Sequence, residues 1–299
     1  MDYSFPRYLL SKQTVDDRAI NRVVLDTLKS ALPASGQLSV IEVGAGIGTM
    51  LTRLLRLGFL PATVDYSLVD EMPENIAFAR EWLPRWAREN GYDVEPAMDG
   101  LRLSAPTADS VCVHFVQADV FDFIRSAPVQ ADLLIAHAFL DLLPMPQSLP
   151  ALFSLVKPGG LAWLTINFDG LTTLEPTINP QLDAQIERLY HQTMDTRPTG
   201  GDSQSGRHLF GHLYQAGGEI LSAGASDWVV YPLKGQYPAD EAYFLQFILH
   251  FFELSLNGHP QLNQDLFAAW LKDRRAQIER GELVYIAHQM DFLVKPESV

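Results

Sequence analysis

The stretch SVIEVGAGIGTMLTRLL, residues 39–55, decides the fold. A short apolar, strand-like run leads into three glycines at alternate positions, Gly44, Gly46 and Gly48, and a helix-like run closed by Gly58 follows. Glycine admits backbone angles that other residues avoid, and a missing side chain lets another group touch the backbone directly. A helix that starts at such a turn adds amide donors and the positive end of its dipole. A turn of this kind suits a dinucleotide, a flavin or another nucleoside ligand, and it also suits close packing with no ligand at all.

Working outward, strand-like and helix-like segments alternate. VDYSLVD is strand-like, and PENIAFAREWLPRWARE is helical with Pro73 in its first turn. VCVHFVQAD reads as a strand and VFDFIRSA as a short helix. ADLLIAHAFLD begins as a strand, LPALFSLVKPGG is a helix stopped by Pro158 and two glycines, and LAWLTINF is a further strand. This alternation over residues 38–168 predicts a parallel sheet covered on both faces. Ahead of it, Thr14 and Asp17 fit a helix start, with Ile20, Val24 and Leu28 at helical spacing up to Pro33. Behind it, helices are expected from Asn179-Pro180 and from Ser205. A strand, EILSAGASDWVV, follows with a bend at Gly224, then two helices near 240–256 and 264–280, and a last strand over 282–294.

Three acids end three successive strand segments: Glu42 two residues before the first glycine, Asp70, and Asp119. In a doubly wound sheet these positions face one crevice, where acids can hold ribose hydroxyls or an amino group. The dinucleotide fingerprint places its third glycine three positions after the second. That position here is Thr49, and Gly48 comes one residue early, so a nicotinamide enzyme is disfavoured.

The segments then resemble one family, the class I S-adenosylmethionine-dependent methyltransferases. VIEVGAGIGTM resembles their first motif in the form E/D-x-G-x-G-x-G, YSLVDEMPENIAFAR their second, and QADVFD their adenine-contacting segment. ADLLIAHAFLDLLP and LFSLVKPGGLAWLTIN resemble the fourth and fifth strands with their connections. The resemblance spans about residues 40–170 and, more loosely, 205–294. It implies an α/β fold: a doubly wound, mostly parallel, seven-stranded Rossmann-like sheet with an antiparallel last strand, a helical N-terminal segment and a late helical insertion. The corresponding divisions are 1–36 for the N-terminal segment, 37–170 for the cofactor-binding core and 171–299 for substrate-side helices and the last two strands, with the insertion at about 237–281. It implies S-adenosylmethionine as cofactor. Gly44, Ala45, Gly46 and Gly48 would pass under its methionine end, Glu42 would order that loop and meet the amino group, and Asp70 would take the ribose. Met72 and Val120 would sandwich the adenine, Asp119 would read its amino group, and His137 would lie near the methionine portion.

Methyl transfer is an in-line displacement with a good leaving group, so it needs alignment and exclusion of water more than a fixed catalytic residue. No catalytic residue is therefore assigned. Candidates for the acceptor side are Arg18, Asn167, Tyr190, Arg207 and Trp228; Tyr8, Lys12 and Arg18 offer grips for a carboxylate on either ligand. HAFLDLLP lacks the Asn/Asp-Pro-Pro-Tyr/Phe tetrad of enzymes that methylate amino groups of nucleic acids and protein glutamine.

Composition narrows the classes. The formal charge of −14 and the absence of Lys/Arg clusters speak against nucleic acid. One cysteine, Cys112, excludes a disulfide framework and a cysteine-built metal site. His208 and His212 share a helix face, but as a metal pair they would need a third ligand nearby and no HExxH pattern exists, so no metal is expected. No signal-peptide pattern opens the chain, and AYFLQFILHFFELSL, 242–256, is too short to span a bilayer; a cytoplasmic, soluble protein with no membrane partner is expected. That aromatic segment suits a lid over an apolar pocket, a homodimer surface or plain core. The resulting expectation is a small-molecule methyltransferase. An aminopropyl-transferring enzyme, with Asp141 as an amine grip, and a non-catalytic nucleoside-binding protein are the alternatives.

Overall fold

The structure, a computed structural model, describes residues 3–33, 36–105, 110–126, 129–197 and 200–297. Its strands are β1 (Gln37–Val43), β2 (Thr63–Asp70), β3 (Asp93–Ala97), β4 (Gly100–Ser104), β5 (Ser110–Gln117), β6 (Ala131–His137), β7 (Val156–Glu175), β8 (Gly218–Ala225), β9 (Trp228–Val230) and β10 (Val284–Pro296). They form one sheet in the order β3-β4-β5-β2-β1-β6-β7-β10-β8, with β9 also paired to β10. The five strands β5, β2, β1, β6 and β7 run parallel, and β10 is antiparallel to both β7 and β8. The doubly wound sheet with an antiparallel last strand is therefore present as expected.

Strand β1 shows why its sequence is almost unbroken in apolar character. Leu38 and Val40 belong to the core on one face of the sheet, and Ile41 and Val43 to the core on the other. A strand buried on both sides loses the usual polar alternation. The first core is covered by α1 (Phe5–Ser11), α2 (Gln13–Ala19), α3 (Arg22–Ala31), α4 (Thr49–Leu57) and α5 (Pro73–Glu89). The second is covered by α6 (Val120–Ser126), α7 (Met145–Phe153) and, after α8 (Pro180–Asp195), which lies over the first core, by α9 (Ser205–Gln215). Helices α10 (Glu241–Leu256) and α11 (Gln264–Glu279) lie between β9 and β10 in the chain.

Several local expectations are corrected. The single N-terminal helix is three short ones. Thr14 lies within α2, where its hydroxyl donates to Glu241 Oε1 (2.6 Å), and Asp17 pairs with Arg53 rather than capping a helix. The break after α2 is made by Asn21, whose side chain accepts from the amides of Val23 and Val24 and whose own amide donates to the buried Asp291. The hairpin β3–β4, which adds two antiparallel strands beside β5, has no counterpart in the sequence expectation. Helix α7 stops at Phe153, short of Pro158, and β7 starts at Val156 and runs to Glu175. The segment after Gly218 is two strands rather than one bent strand.

Helix α10 is core. Tyr243, Phe244, Leu245, Phe247, Ile248, Leu249, Phe252 and Leu256 are all buried. Exposing each would forfeit about 1.5–3 kcal/mol, which is far more than a moving lid can tolerate. Most of its apolar side chains are consumed inside the chain, which favours the core reading over a lid. Helix α1 rests on α10: Tyr8 stacks on Phe244 and Phe247, the Ser4 amide donates to the Tyr243 hydroxyl (2.8 Å), and Arg7 pairs with Asp240 (2.9 Å).

Candidate functional site

The C-terminal ends of β5, β2, β1 and β6 open into a cavity of about 640 Å³. Ligands of open α/β sheets bind at this edge. Strand order sets Asp119, Asp70, Glu42 and His137 side by side along it.

The turn after β1 is built by left-handed backbone at Gly44 (φ 61°), Gly46 (φ 56°) and Gly48 (φ 83°). Space matters as well as conformation. A Cβ on Gly44 would lie 2.2 Å from the Phe139 ring, and one on Gly46 would lie 2.8 Å from Leu9. Two side chains thus press down on the glycine turn, one from α1 and one from the loop after β6. The latter loop turns at Ala138, which holds φ at 51°, and leads into a short 3-10 turn at Leu140–Leu142. Positive φ at a residue with a side chain is costly and collects at functional sites. Gly48 is different. It caps α4 and would collide with Leu68 and Leu83, so it serves the core and does not line the cavity.

Asp70 organises the turn. Its Oδ2 accepts from the Gly46 amide (2.7 Å), and its Oδ1 accepts from the Met72 amide and Asn75 Nδ2 (3.0 Å each). Asp119 caps α6, with Oδ1 accepting from Phe121 and Asp122 amides. Glu42 is almost fully buried beneath the turn, and its Oε2 accepts from the Tyr66 hydroxyl (2.5 Å). Burial pushes its carboxyl up to about 8, so at neutral pH it is mainly protonated. An incoming cation would ionise it.

His137 faces the cavity with both ring nitrogens engaged. Nε2 lies 3.0 Å from Asp16 Oδ2 and Nδ1 lies 2.7 Å from Thr165 Oγ1. Burial pushes the imidazole down to about 4, so the ring is neutral at pH 7. It donates to the Asp16 carboxylate and accepts from the Thr165 hydroxyl, which leaves no lone pair for a substrate proton. Asp16 is fully buried and also receives Trp228 Nε1 (2.9 Å) and Lys12 Nζ (3.3 Å). Lys12 and the neighbouring His137 hold the Asp16 carboxyl well below the usual carboxylate range, despite burial. The Lys12 ammonium lines the cavity with further donors to spare.

Of the residues expected to hold a cofactor, Glu42, Gly44, Ala45, Gly46, Asp70, Met72, Asp119, Val120 and His137 all line this cavity, and Gly48 does not. None of the five acceptor-side candidates lines it. Arg18 forms a double hydrogen bond with the buried Glu241 (2.6 and 2.9 Å). Asn167 is buried between β7 and β10 and donates to the Met290 carbonyl. Tyr190 stacks on Phe252 (4.0 Å), Arg207 pairs with Asp169 (2.8 Å), and Trp228 donates to Asp16 and packs edge-on against Phe244. Each instead satisfies a buried partner of its own. Walls that the sequence did not single out include Phe5, Leu9, Glu71, Phe121, Phe139 and Leu142.

No protein-family model matches the chain, and no curated protein does. Among solved structures, a methyltransferase candidate from Bacillus halodurans superposes with a TM-score of 0.51 at 11% identity, covering 93% of this chain and 100% of the other. The two chains share an α/β fold over nearly their whole length. An S-adenosylmethionine-dependent methyltransferase from Thiobacillus denitrificans, solved with S-adenosyl-L-homocysteine, covers 99% of this chain and 100% of its own at 14% identity, with a TM-score of 0.49. At such identities the methyltransferase likeness speaks to architecture, and the chemistry has to be argued from the cavity.

Proposed function

We propose that this protein transfers a methyl group from S-adenosylmethionine to a small-molecule acceptor. One observation carries the proposal. The cavity sets a buried, protonated acid, Glu42, and a buried ammonium, Lys12, near the glycine turn, and acids Asp70 and Asp119 further along the same strand ends. That pattern fits an amino acid zwitterion joined to a nucleoside. Glu42 would meet the ammonium and Lys12 the carboxylate. Asp70, with Glu71 beside it, would take the ribose, and Met72, Val120 and the remaining oxygen of Asp119 would hold the adenine. When bound, the cofactor supplies an electrophilic methyl on a sulfonium.

The chain's own residues then align and dry the site. Phe5, Leu9, Phe139 and Leu142 give it an apolar roof that excludes water. His137 stays neutral and locked, so the acceptor has to arrive as a competent nucleophile. Asp141, the residue that an aminopropyl transferase reading would use, does not line the cavity. A cytoplasmic setting belongs to the same proposal; it is supported by the acidic composition and by the lack, among the described residues, of any helix long and apolar enough to cross a membrane.

Calorimetric titration with S-adenosylhomocysteine, with NAD and NADH as controls, tests the proposal. Binding of the homocysteine nucleoside alone, weakened at least about tenfold in Asp70→Asn, is the expected result, since a charged hydrogen-bond acceptor is worth about 1.5–3 kcal/mol. Binding of neither ligand, or of the nicotinamides alone, overturns it. Acceptors are then found by incubation with S-adenosylmethionine and product mass.

A further inference from the structure

We propose that Asp65, Cys112 and His114 form a binding site for a borderline-soft divalent cation, Zn²⁺ first. The site does not rest on the methyl-transfer reading. The parallel register of β2 and β5 sets Asp65 beside Cys112 and Ser67 beside His114. Alternation along each strand turns all three ligand residues to one face, the face on which α6 lies. Helix α6 has only seven residues and covers the C-terminal ends of these strands, so the three side chains are left half-buried below it.

The carboxylate oxygen, the Cys112 Sγ and a ring nitrogen of His114 lie within 4.8 Å of one another, and His114 Nε2 is 2.7 Å from Asp65 Oδ1. Metal–ligand distances of about 2.0–2.3 Å in a tetrahedron put ligand atoms about 3.3–3.6 Å apart. Side-chain rotation within the half-open face is enough to reach that arrangement from the present one. A nitrogen, a thiol sulfur and a carboxylate on rigid strands are a zinc donor set, and solvent can fill the fourth position because the Asp65 and His114 side chains are 47% and 35% exposed.

Charge supports the assignment. The Cys112 thiol is pushed up by burial and by the Asp65 carboxylate, whereas Arg102, its cross-strand neighbour on β4, favours the thiolate. A divalent cation would neutralise thiolate and carboxylate together. On loading, the thiol proton leaves to solvent, the proton that His114 Nε2 donates to Asp65 leaves it and the neutral ring carries its proton on Nδ1 through exchange with solvent, so that the freed Nε2 lone pair takes the metal. The bound ion would pin β2 to β5 five residues upstream of Asp70 and Asp119, the two acids these strands carry into the cavity.

The full chain, stripped with a chelator and kept reduced, is titrated with Zn²⁺ by calorimetry and with Co²⁺ by absorption. One equivalent of each is expected to bind, with a thiolate-to-cobalt charge-transfer band and the visible bands of a four-coordinate ion. Zn²⁺ affinity is expected to fall at least about tenfold in Cys112→Ser, His114→Gln and Asp65→Asn, and the charge-transfer band to vanish in Cys112→Ser. A wild-type titration without stoichiometric binding or without that band overturns the site. So does binding that survives in Cys112→Ser and His114→Gln but is lost in the His208→Ala/His212→Ala pair on α9. The wild-type cobalt spectrum needs no variant, so a variant that fails to fold leaves the test standing.

Discussion

Binding of an ammonium-bearing nucleoside is expected to drive a proton off Glu42. The buried carboxyl sits at about 8 in the empty cavity because burial outweighs the Tyr66 hydrogen bond. Roughly 3% of it is ionised at pH 6.5 and about 76% at pH 8.5, so the form that pairs with an ammonium grows about 25-fold, a gain of about 2 kcal/mol. S-adenosylhomocysteine affinity is therefore expected to rise by that factor across this window. Near pH 6.5 about one proton should be released per ligand, visible as a difference in calorimetric heat between buffers of unlike ionisation enthalpy. 5′-Methylthioadenosine lacks the amino acid end and is expected to show neither effect. In Glu42→Gln the slope for S-adenosylhomocysteine should vanish. A flat profile for S-adenosylhomocysteine, or an equal slope for 5′-methylthioadenosine, would refute the assignment of Glu42 to the ammonium. The same shift has a stability consequence of definite sign. The folded acid holds its proton more tightly than the unfolded one, so Glu42's contribution is complete at acid pH and lost as pH rises towards 8. Ligand-induced gains in Tm should accordingly be larger at pH 8 than at pH 6.

Other substitutions separate the cavity from its supports. Asp16→Asn removes the anion that receives Lys12, His137 and Trp228 at full burial, and is expected to cost about 3–5 kcal/mol in denaturant melts. Gly44→Ala sets a Cβ against the Phe139 ring at a positive φ; stability should fall by about 1–3 kcal/mol with loss of S-adenosylhomocysteine binding, and Phe139→Ala in the same chain should restore part of it. Arg207→Ala takes the half-exposed guanidinium away from the buried Asp169, and neither residue lines the cavity; nucleoside binding by calorimetry should not change, and stability should fall by about 1–3 kcal/mol.

The strand ends were legible because their chemistry is local. A strand, a glycine turn and a following acid lie within a few residues of one another, and Glu42, Asp70 and Asp119 each occupy the terminus of an apolar run. The roof was not legible, since Leu9 and Phe139 reach the glycine turn from segments far apart in the chain. Asp16 could have been noticed as an acid on the apolar face of its helix, between Val15 and Ala19 and four residues after Lys12. The acceptor-side candidates were polar residues near strand ends or in late helices, and sequence spacing says nothing about which buried partner each one satisfies. Arg18 with Glu241, and Trp228 with Asp16, are pairings set by how α2 packs against the late elements. The Asp65, Cys112 and His114 grouping was hidden for the same reason, because strand register and not chain order makes it.

Helix α1 carries Phe5 and Leu9 into the cavity, Lys12 follows at its C-cap, and Tyr8 of the same helix rests on α10. The shape of the cavity is thus inherited in part from an element that does not line it. Changes of volume at Phe244 or Phe247 would tilt α1 and re-cut the chamber without altering a single wall residue. The fit of any ligand to this cavity can thus change through the core, and substitutions confined to the cavity walls would miss that layer.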